Sequence, residues 1–500
     1  MMLPLFGSRK TLCDGLARRD LLQIGGLGAL GLTLGDALQL GQAQAAATAP
    51  AGGFGRAKAC ILLFPFGSPP QHETFDPKPD APREIQGTYG DTATSVAGVR
   101  ICEGLPKTAQ VMDRFTIVRS MTHPYPVHGV AYALTGMPTY TPAIEANPRA
   151  KEHYPFLGSA VDYLERKRGG AALSSVPRNM GLPWRFGSKS SLPTLAGPYA
   201  AFLGDAYDPI WTDFTGRGSK VVPKLTDNQT AEVRDPFAGL LPGGKFRLDS
   251  GELAADVSLE RLGLRRSLTG QFDRARQWLD RSPDVANFDE HRRLAMSLLT
   301  TNGVRDALDV DREPVAVRER FGQTLFGQSC LAARRLVEAG VRFVSVFWDP
   351  FEPFGGSCWD THANHFPRLK DYLLPVFDEA YSALLLDLDR RGLLDETLVL
   401  CVSEHGRTPQ IDSKPKGAGR HHWSRVYSAT LAGGGTPRGK VVGRSDAHGG
   451  DVAETPVSPK DLLATTLHLL GIDAHTTVPD RAGRPVLVAG DGQVRRELIA

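Results

Sequence analysis

The chain has 500 residues, 58 Lys and Arg against 55 Asp and Glu, a formal net charge of +3 and 41% hydrophobic residues. So even a charge balance lacks the basic footprint of a nucleic-acid binder, and the length suits one large α/β domain with a sizeable core. The six cysteines are dispersed and show no CxxC spacing, which argues against a disulfide framework and against a zinc ribbon.

In chain order, the first 47 residues read as a signal peptide. Arg9, Lys10, Arg18 and Arg19 form a basic start, Leu21 to Leu34 an apolar, glycine-rich run, and Ala43-Gln44-Ala45-Ala46-Ala47 a small-residue stretch. The Arg18-Arg19 pair just before the apolar run marks the twin-arginine route and a periplasmic or secreted destination. The apolar run falls short of the ~20 residues that span a bilayer, so no stable membrane anchor is expected.

Residues 59–64 form a continuous apolar run, as in a strand buried on both faces. The same pattern recurs after helical stretches: Phe115 to Val118 after Leu105 to Asp113, Val341 to Phe347 after Val315 to Ala339, and Thr397 to Val402 after Pro375 to Arg391. Helix followed by buried strand, repeated, predicts a mostly parallel central sheet with helices on both faces. Tyr427 to Ala432 reads as a further strand, and Gly433-Gly434-Gly435 as a plain turn, since it lacks the Gly-Lys-Ser/Thr ending of a phosphate loop. Residues 140–250, rich in Pro and Gly, read as a loop-rich insertion whose internal structure the pattern does not reveal. Residues 252–338, with Leu259, Leu262, Leu264 and Leu268 at helical spacing, read as a helical layer.

Ligands of open α/β sheets collect at the carboxyl ends of the strands. Seven of the 13 histidines fall at or just beyond such ends: His123 and His128; His362 and His365; His405, His421 and His422. Asp360 accompanies His362, and Glu404 accompanies His405. Mixed imidazole and carboxylate sets suit a divalent ion such as zinc, manganese or iron, although each pair alone is also what a polar loop carries for local hydrogen bonding. Arg407 offers a planar fork for an anionic substrate, or equally a partner for a nearby carboxylate. Lys78 reads as a solvated turn residue.

Seven motifs in order carry a family resemblance: Phe75 to Pro82, Val118 to His123, Ala133 to Gly136, Ala333 to Val341, Trp359 to His362, Glu404 to Pro409 and Leu462 to Thr465. From Ala59 to Ala500, and in its leader, the chain resembles an exported bacterial family catalogued as a domain of unknown function, number fifteen hundred and one. That family resembles the alkaline phosphatase and sulfatase superfamily. The resemblance implies an alkaline-phosphatase-like α/β fold, a divalent metal ion (zinc, calcium or manganese) and an anionic ester or polysaccharide substrate. It assigns Asp360, His362, Glu404, His405 and His422 as metal ligands; in a hydrolase built on them, His123 or His128 would be the general base or a further ligand and Arg407 a catalytic residue.

The departures are specific. Glu404 stands where the superfamily has aspartate, and Asp360 and His362 are two apart where phosphatases space them by four. Sulfatases place a Cys or Ser nine residues before the Thr of Leu-Thr-Gly and an Arg four beyond it. Here those positions hold Pro126 and Val130. Phe66-Gly67 replaces the metal-binding aspartate of the first strand, leaving His72, Glu73 or Asp76 to compensate if the turn folds back. Two functions follow: a metal-dependent ester hydrolase in which water replaces the protein nucleophile, or a non-catalytic exported protein that binds a glycan or a partner.

Overall fold

The computed structural model describes residues 52–500 except 126–127, 138–140, 149, 151, 169–175, 191–194, 221–223, 227–228, 232–234, 249–301 and 352–357. The expected signal peptide, Pro126 and the leucine-spaced stretch from Leu259 to Leu268 therefore lie outside the described residues. Gly53–Ala500 forms one compact unit.

Its centre is a nine-stranded sheet. In chain order the strands are β1 (Ala59–Pro65), β2 (Phe115–Met121), β3 (Asn179–Leu182), β4 (Ile210–Thr215), β5 (Lys245–Leu248), β6 (Phe343–Trp348), β7 (Thr397–Cys401), β8 (Tyr427–Ala432) and β9 (Lys440–Val442). Across the sheet they lie in the order β9-β2-β8-β7-β1-β6-β3-β4-β5. β1 pairs in parallel with β6 and β7, β6 with β3, β3 with β4, and β9 with β2; only β8 and β5 run the other way. The sheet is mostly parallel, as the alternation of elements predicts.

The continuous apolar runs are explained by two cores. Ile61 and Leu63 face one with Val399 and Cys401, while Cys60, Leu62 and Phe64 face the other with Leu398 and Leu400. Helices α3 (Leu325–Glu338) and α4 (Leu374–Arg390) cover the first core, and α2 (Leu157–Arg168) and α5 (Pro459–Leu469) the second, with the short α1 (Val130–Thr135) beside α5. A strand covered on both sides has no polar face, so the period-2 alternation disappears.

Three local findings differ from the sequence reading. The stretch Val315 to Ala339 is two helices, Val315–Arg320 and α3, because Gly322 takes φ +82° and Thr324 caps the second by accepting from Gly327 N at 3.1 Å. Leu105 to Asp113 is a short helix, Pro106–Gln110, followed by a 3-10 turn. Residues 140–250 do not stand apart as loops: they supply β3, β4, β5 and α2. All five described cysteines are free and buried. Among the described residues no helix is long and apolar enough to cross a membrane.

Candidate metal centre

The register of the sheet brings the proposed site together. Leu63 pairs with Cys401 and Pro65 with Trp348, so the chain leaving β1, β6 and β7 emerges side by side, and β2, running the same way, delivers Thr122 to His128 to that edge. From β7 the chain stays at this edge through a two-residue ribbon, Gly406–Arg407 paired with His422–Trp423, before β8 runs back. A connection that never crosses the sheet forces β8 to be antiparallel, and it keeps His405 and His422 in one place.

Two overlapping triads result. His128, His405 and His422 present ring nitrogens within 4.8 Å of one another, and so do Asp360, His362 and His422 with a carboxylate oxygen and two nitrogens. Asp360 Oδ1 lies 2.9 Å from His362 Nε2 and 3.3 Å from His422 Nε2, and the two imidazole Nε2 atoms are 3.0 Å apart. Asp360 Oδ2 is 3.5 Å from His128 Nε2, while His128 Nδ1 is 2.8 Å from Glu404 Oε1. Phe66 stacks on the His128 ring at a centroid distance of 5.1 Å.

His405 is the most informative member. Its ring is buried, and Nδ1 lies 2.8 Å from Gly406 O, so that nitrogen carries the proton and donates. Nε2 is then a bare lone pair, buried and without a hydrogen-bond partner in the protein. Burial first, then Arg407, His128 and His422, hold its pKa well below the usual imidazole range, which keeps the ring neutral. An orphaned buried lone pair beside two other imidazoles, one of which also meets Asp360 and His362, fits a divalent cation.

The carboxylates are ionised. Burial pushes Asp360 up, but Arg407 and the hydrogen bonds from His128, His362 and His422 outweigh it and hold the acid well below its ordinary range. Glu404 is lowered in the same way by His128 and Ser403 against its burial. For His128 burial works downward, but hydrogen bonds to Asp360 and Glu404 dominate and raise it to about 9.

Other residues of the sequence reading have different places. Glu404 spends its oxygens on the protein: Oε1 accepts from Gly67 N at 2.9 Å and faces His128, and Oε2 accepts from Ser403 Oγ. His123 spends both nitrogens, Nε2 on Glu404 O at 2.7 Å and Nδ1 as acceptor from Tyr125 N at 3.2 Å, and burial lowers its pKa to about 4. No ring nitrogen is left to act as base or ligand. Arg407 is fully buried and donates to Asp360, Gly67 O, Ser68 O and Arg420 O; it faces protein, not an open substrate pocket. Lys78 pairs with Asp76 at 3.0 Å and is mostly covered.

The first strand does not compensate with a side chain. Gly67 takes φ +93°, and a Cβ there would meet Asp360 N at 2.2 Å, so the backbone itself fills the place. His72 lies 2.8 Å from His448 O, Glu73 pairs with Arg420, and Asp76 accepts from Ser445 Oγ. Val130 begins the buried helix α1, and Thr135 at its end donates to Ala131 O at 2.7 Å. Two residues that sequence reading passed over are Arg420, fully buried, and Gly419, whose added Cβ would lie 1.9 Å from His362 O.

A comparison with curated proteins returns no match. Among solved structures, the chain is similar to Ps i-CgsB, at 12% identity over 87% of this chain and 75% of that one, with a TM-score of 0.39. It is similar to the PsFucS1 sulfatase from Pseudoalteromonas sp. at 13% identity, 84% and 68% coverage and a TM-score of 0.35. For the phosphonate monoester hydrolase SpPMH from Silicibacter pomeroyi the figures are 12%, 88% and 76%, and 0.30. A family model described as "Protein of unknown function (DUF1501)" matches residues 57–499, the whole compact unit but for its ends, and the chain belongs to that family.

Proposed function

We propose that this protein is a metal-dependent hydrolase of sulfate or phosphate esters, exported through the twin-arginine route and acting on an anionic ester such as that of an extracellular polysaccharide. The observation that carries the reading is His405 Nε2, a buried lone pair with no protein partner in a residue that converges with His128 and His422. Asp360, His362, His405 and His422 would hold the ion, with His128 at its side. A set richer in nitrogen than in oxygen favours zinc or another borderline ion over calcium, which takes oxygen ligands. Such an ion, when bound, supplies Lewis acidity toward an ester oxygen and acidifies water.

The chain's own residues do the rest. Arg407 holds Asp360 in place and ionised. Glu404 accepts a hydrogen bond from His128 Nδ1 and orients that ring, leaving Nε2 toward Asp360 and the centre as the group placed to exchange a proton with water or leaving group. Phe66 covers the other side of the ring. Metal analysis of the purified protein, with turnover of aryl sulfate and aryl phosphate measured before and after chelation, tests the reading. Bound metal with chelator-sensitive turnover is expected; metal-free protein with no turnover would defeat it.

The second reading, a non-catalytic glycan- or partner-binding protein, has one observation in its favour. The side chain at the sulfatase arginine position, Val130, is buried and cannot assist covalent chemistry. Bound metal without turnover on either substrate would select it.

A further inference from the structure

A line of hydrogen-bonding groups leads from the surface to the centre. Asp412 Oδ1 accepts from Lys414 N at 3.0 Å, which turns Oδ2 to His421 Nε2 at 3.2 Å. His421 Nδ1 in turn lies 2.9 Å from His362 Nδ1, and His362 Nε2 faces Asp360 and His422. A carboxylate has no proton to give, so His421 Nε2 carries one. A neutral His421 then has a bare Nδ1. Two bare nitrogens at that distance repel, so His362 Nδ1 is the donor, and Nε2, which faces Asp360 Oδ1 at 2.9 Å, is the nitrogen left to a bound ion.

The relay is anchored at both ends. Asp412 and Gly419 exchange backbone hydrogen bonds at 2.9 and 2.8 Å, and His421 N donates to Thr408 Oγ1 at 3.0 Å. Gly419 lies so close to His362 O that no side chain fits between them, and Arg420 N donates to Thr361 O at 3.2 Å, so the two loops are packed backbone to backbone.

From this geometry we infer that Asp412 and His421 are positioning residues for the metal centre: they fix the tautomer and orientation of His362 so that its Nε2 points inward as a ligand. Neither touches Asp360 or His405. The inference rests on the metal reading above, and partners of this kind typically change metal affinity by ~10–100-fold.

The test is titration of the full-length processed protein with zinc alone, by competition against a chromogenic chelator, together with thermal melts of the metal-free forms. His421→Leu, which lacks an acceptor for His362 Nδ1–H, should weaken zinc binding by ~10–100-fold. His421→Asn places an amide oxygen near the lost Nδ1 and should keep affinity within about threefold, since the acceptor is restored. Asp412→Asn can donate to His421 Nε2 and so invert both tautomers; it should lose affinity as His421→Leu does. Metal-free melting temperatures should match the wild type. Equal zinc affinity in wild type and His421→Leu overturns the inference and leaves the metal reading standing. Equal losses in the Leu and Asn variants, tracking a fall in melting temperature, overturn it as a structural effect. A wild type that binds no zinc overturns both.

Discussion

At the edge of the sheet that carries the strand ends, Glu73 and His365 make one buried histidine and carboxylate cluster, and Asp360, Glu404, His362, His405 and His422 make another. In the first, Glu73 Oε1 accepts from Arg420 Nη2 at 2.6 Å and Nε at 3.1 Å, so one guanidinium meets one carboxylate. His365 Nδ1 lies 2.7 Å from Thr361 Oγ1 and its Nε2 3.4 Å from Glu73 Oε2, all fully buried. In the second, Arg407 and His128, whose pKa is raised to about 9, stand against two ionised carboxylates, and His405 keeps a lone pair unused. Residue types are nearly the same in both. The number of imidazoles separates them: one faces Glu73 beside its guanidinium, whereas three converge on Asp360, as ligands of one ion would.

The comparison breaks first at Arg420. Arg420→Met leaves Glu73 buried and unpaired, and should cost about 3–5 kcal/mol in denaturant unfolding, while zinc stoichiometry of the folded fraction stays that of wild type. Combining it with Glu73→Gln should recover most of the loss. No recovery would mean that the pair does not act as a closed unit.

Next in size is the pH dependence of the same pair. Burial pushes the Glu73 acid up, but Arg420 and then His365 outweigh it and lower it from 4.5 to about 2. Its folded-state pKa is therefore depressed, so its contribution is present above pH ~4.5 and is lost as pH falls toward ~2. The shift corresponds to about 3 kcal/mol. Unfolding free energies of wild type and Glu73→Gln should converge over that window, and a gap that stays constant would contradict the assignment.

In the open cluster, His405→Ala removes the nitrogen that lacks a protein partner. Zinc affinity should fall by at least ~100-fold, beyond what an outer partner costs, in a variant whose loss of the buried ring and of the Nδ1 bond to Gly406 O also costs about 1–3 kcal/mol of stability. Retention of zinc in this variant would show that the lone pair is only a packing accident.

Much of this was legible in the sequence. The apolar runs at β1, β2, β6 and β7 announced buried parallel strands, and histidines at their ends announced a site. What stayed hidden has physical causes. β3 is four residues long and β4 mixes Thr and Asp with Trp and Phe, so neither has the period that marks a strand, and only pairing, β3 with β6 and β4 with β3, makes them part of the sheet. Glu404 looked like a ligand because it adjoins His405, yet neighbours in a chain need not face the same way, and its oxygens turn to Gly67 N, Ser403 and His128. Arg420 gave no signal, since a buried arginine and a surface one are written with the same letter. Gly67 is the reverse case: a missing aspartate in the sequence is, in three dimensions, a backbone pressed against Asp360.

The smallest expected effect bears on the mechanism. A protein nucleophile, if one existed near the superfamily position, would be a hydroxyl between Ser120 and Thr135. Ser120 Oγ donates to Thr455 O at 2.6 Å and Thr135 Oγ1 to Ala131 O, so both hydroxyl protons are engaged away from the centre. Ser120→Ala leaves the part-buried Thr455 carbonyl without this donor and should cost about 1 kcal/mol of stability. Thr135→Val releases the Ala131 carbonyl and the Met137 N–H that donates to Oγ1 at 3.2 Å, and Thr122→Val changes a half-buried position whose backbone N–H bonds Val457 O at 2.9 Å. Corrected for the folded fraction, all three variants should keep turnover within about twofold, because none of these oxygens forms a bond to substrate if water is the nucleophile. A covalent route predicts a product burst equal to the enzyme present and its loss in one of the three. Such a burst would assign that hydroxyl as nucleophile and leave the metal cluster a role in charge stabilisation alone.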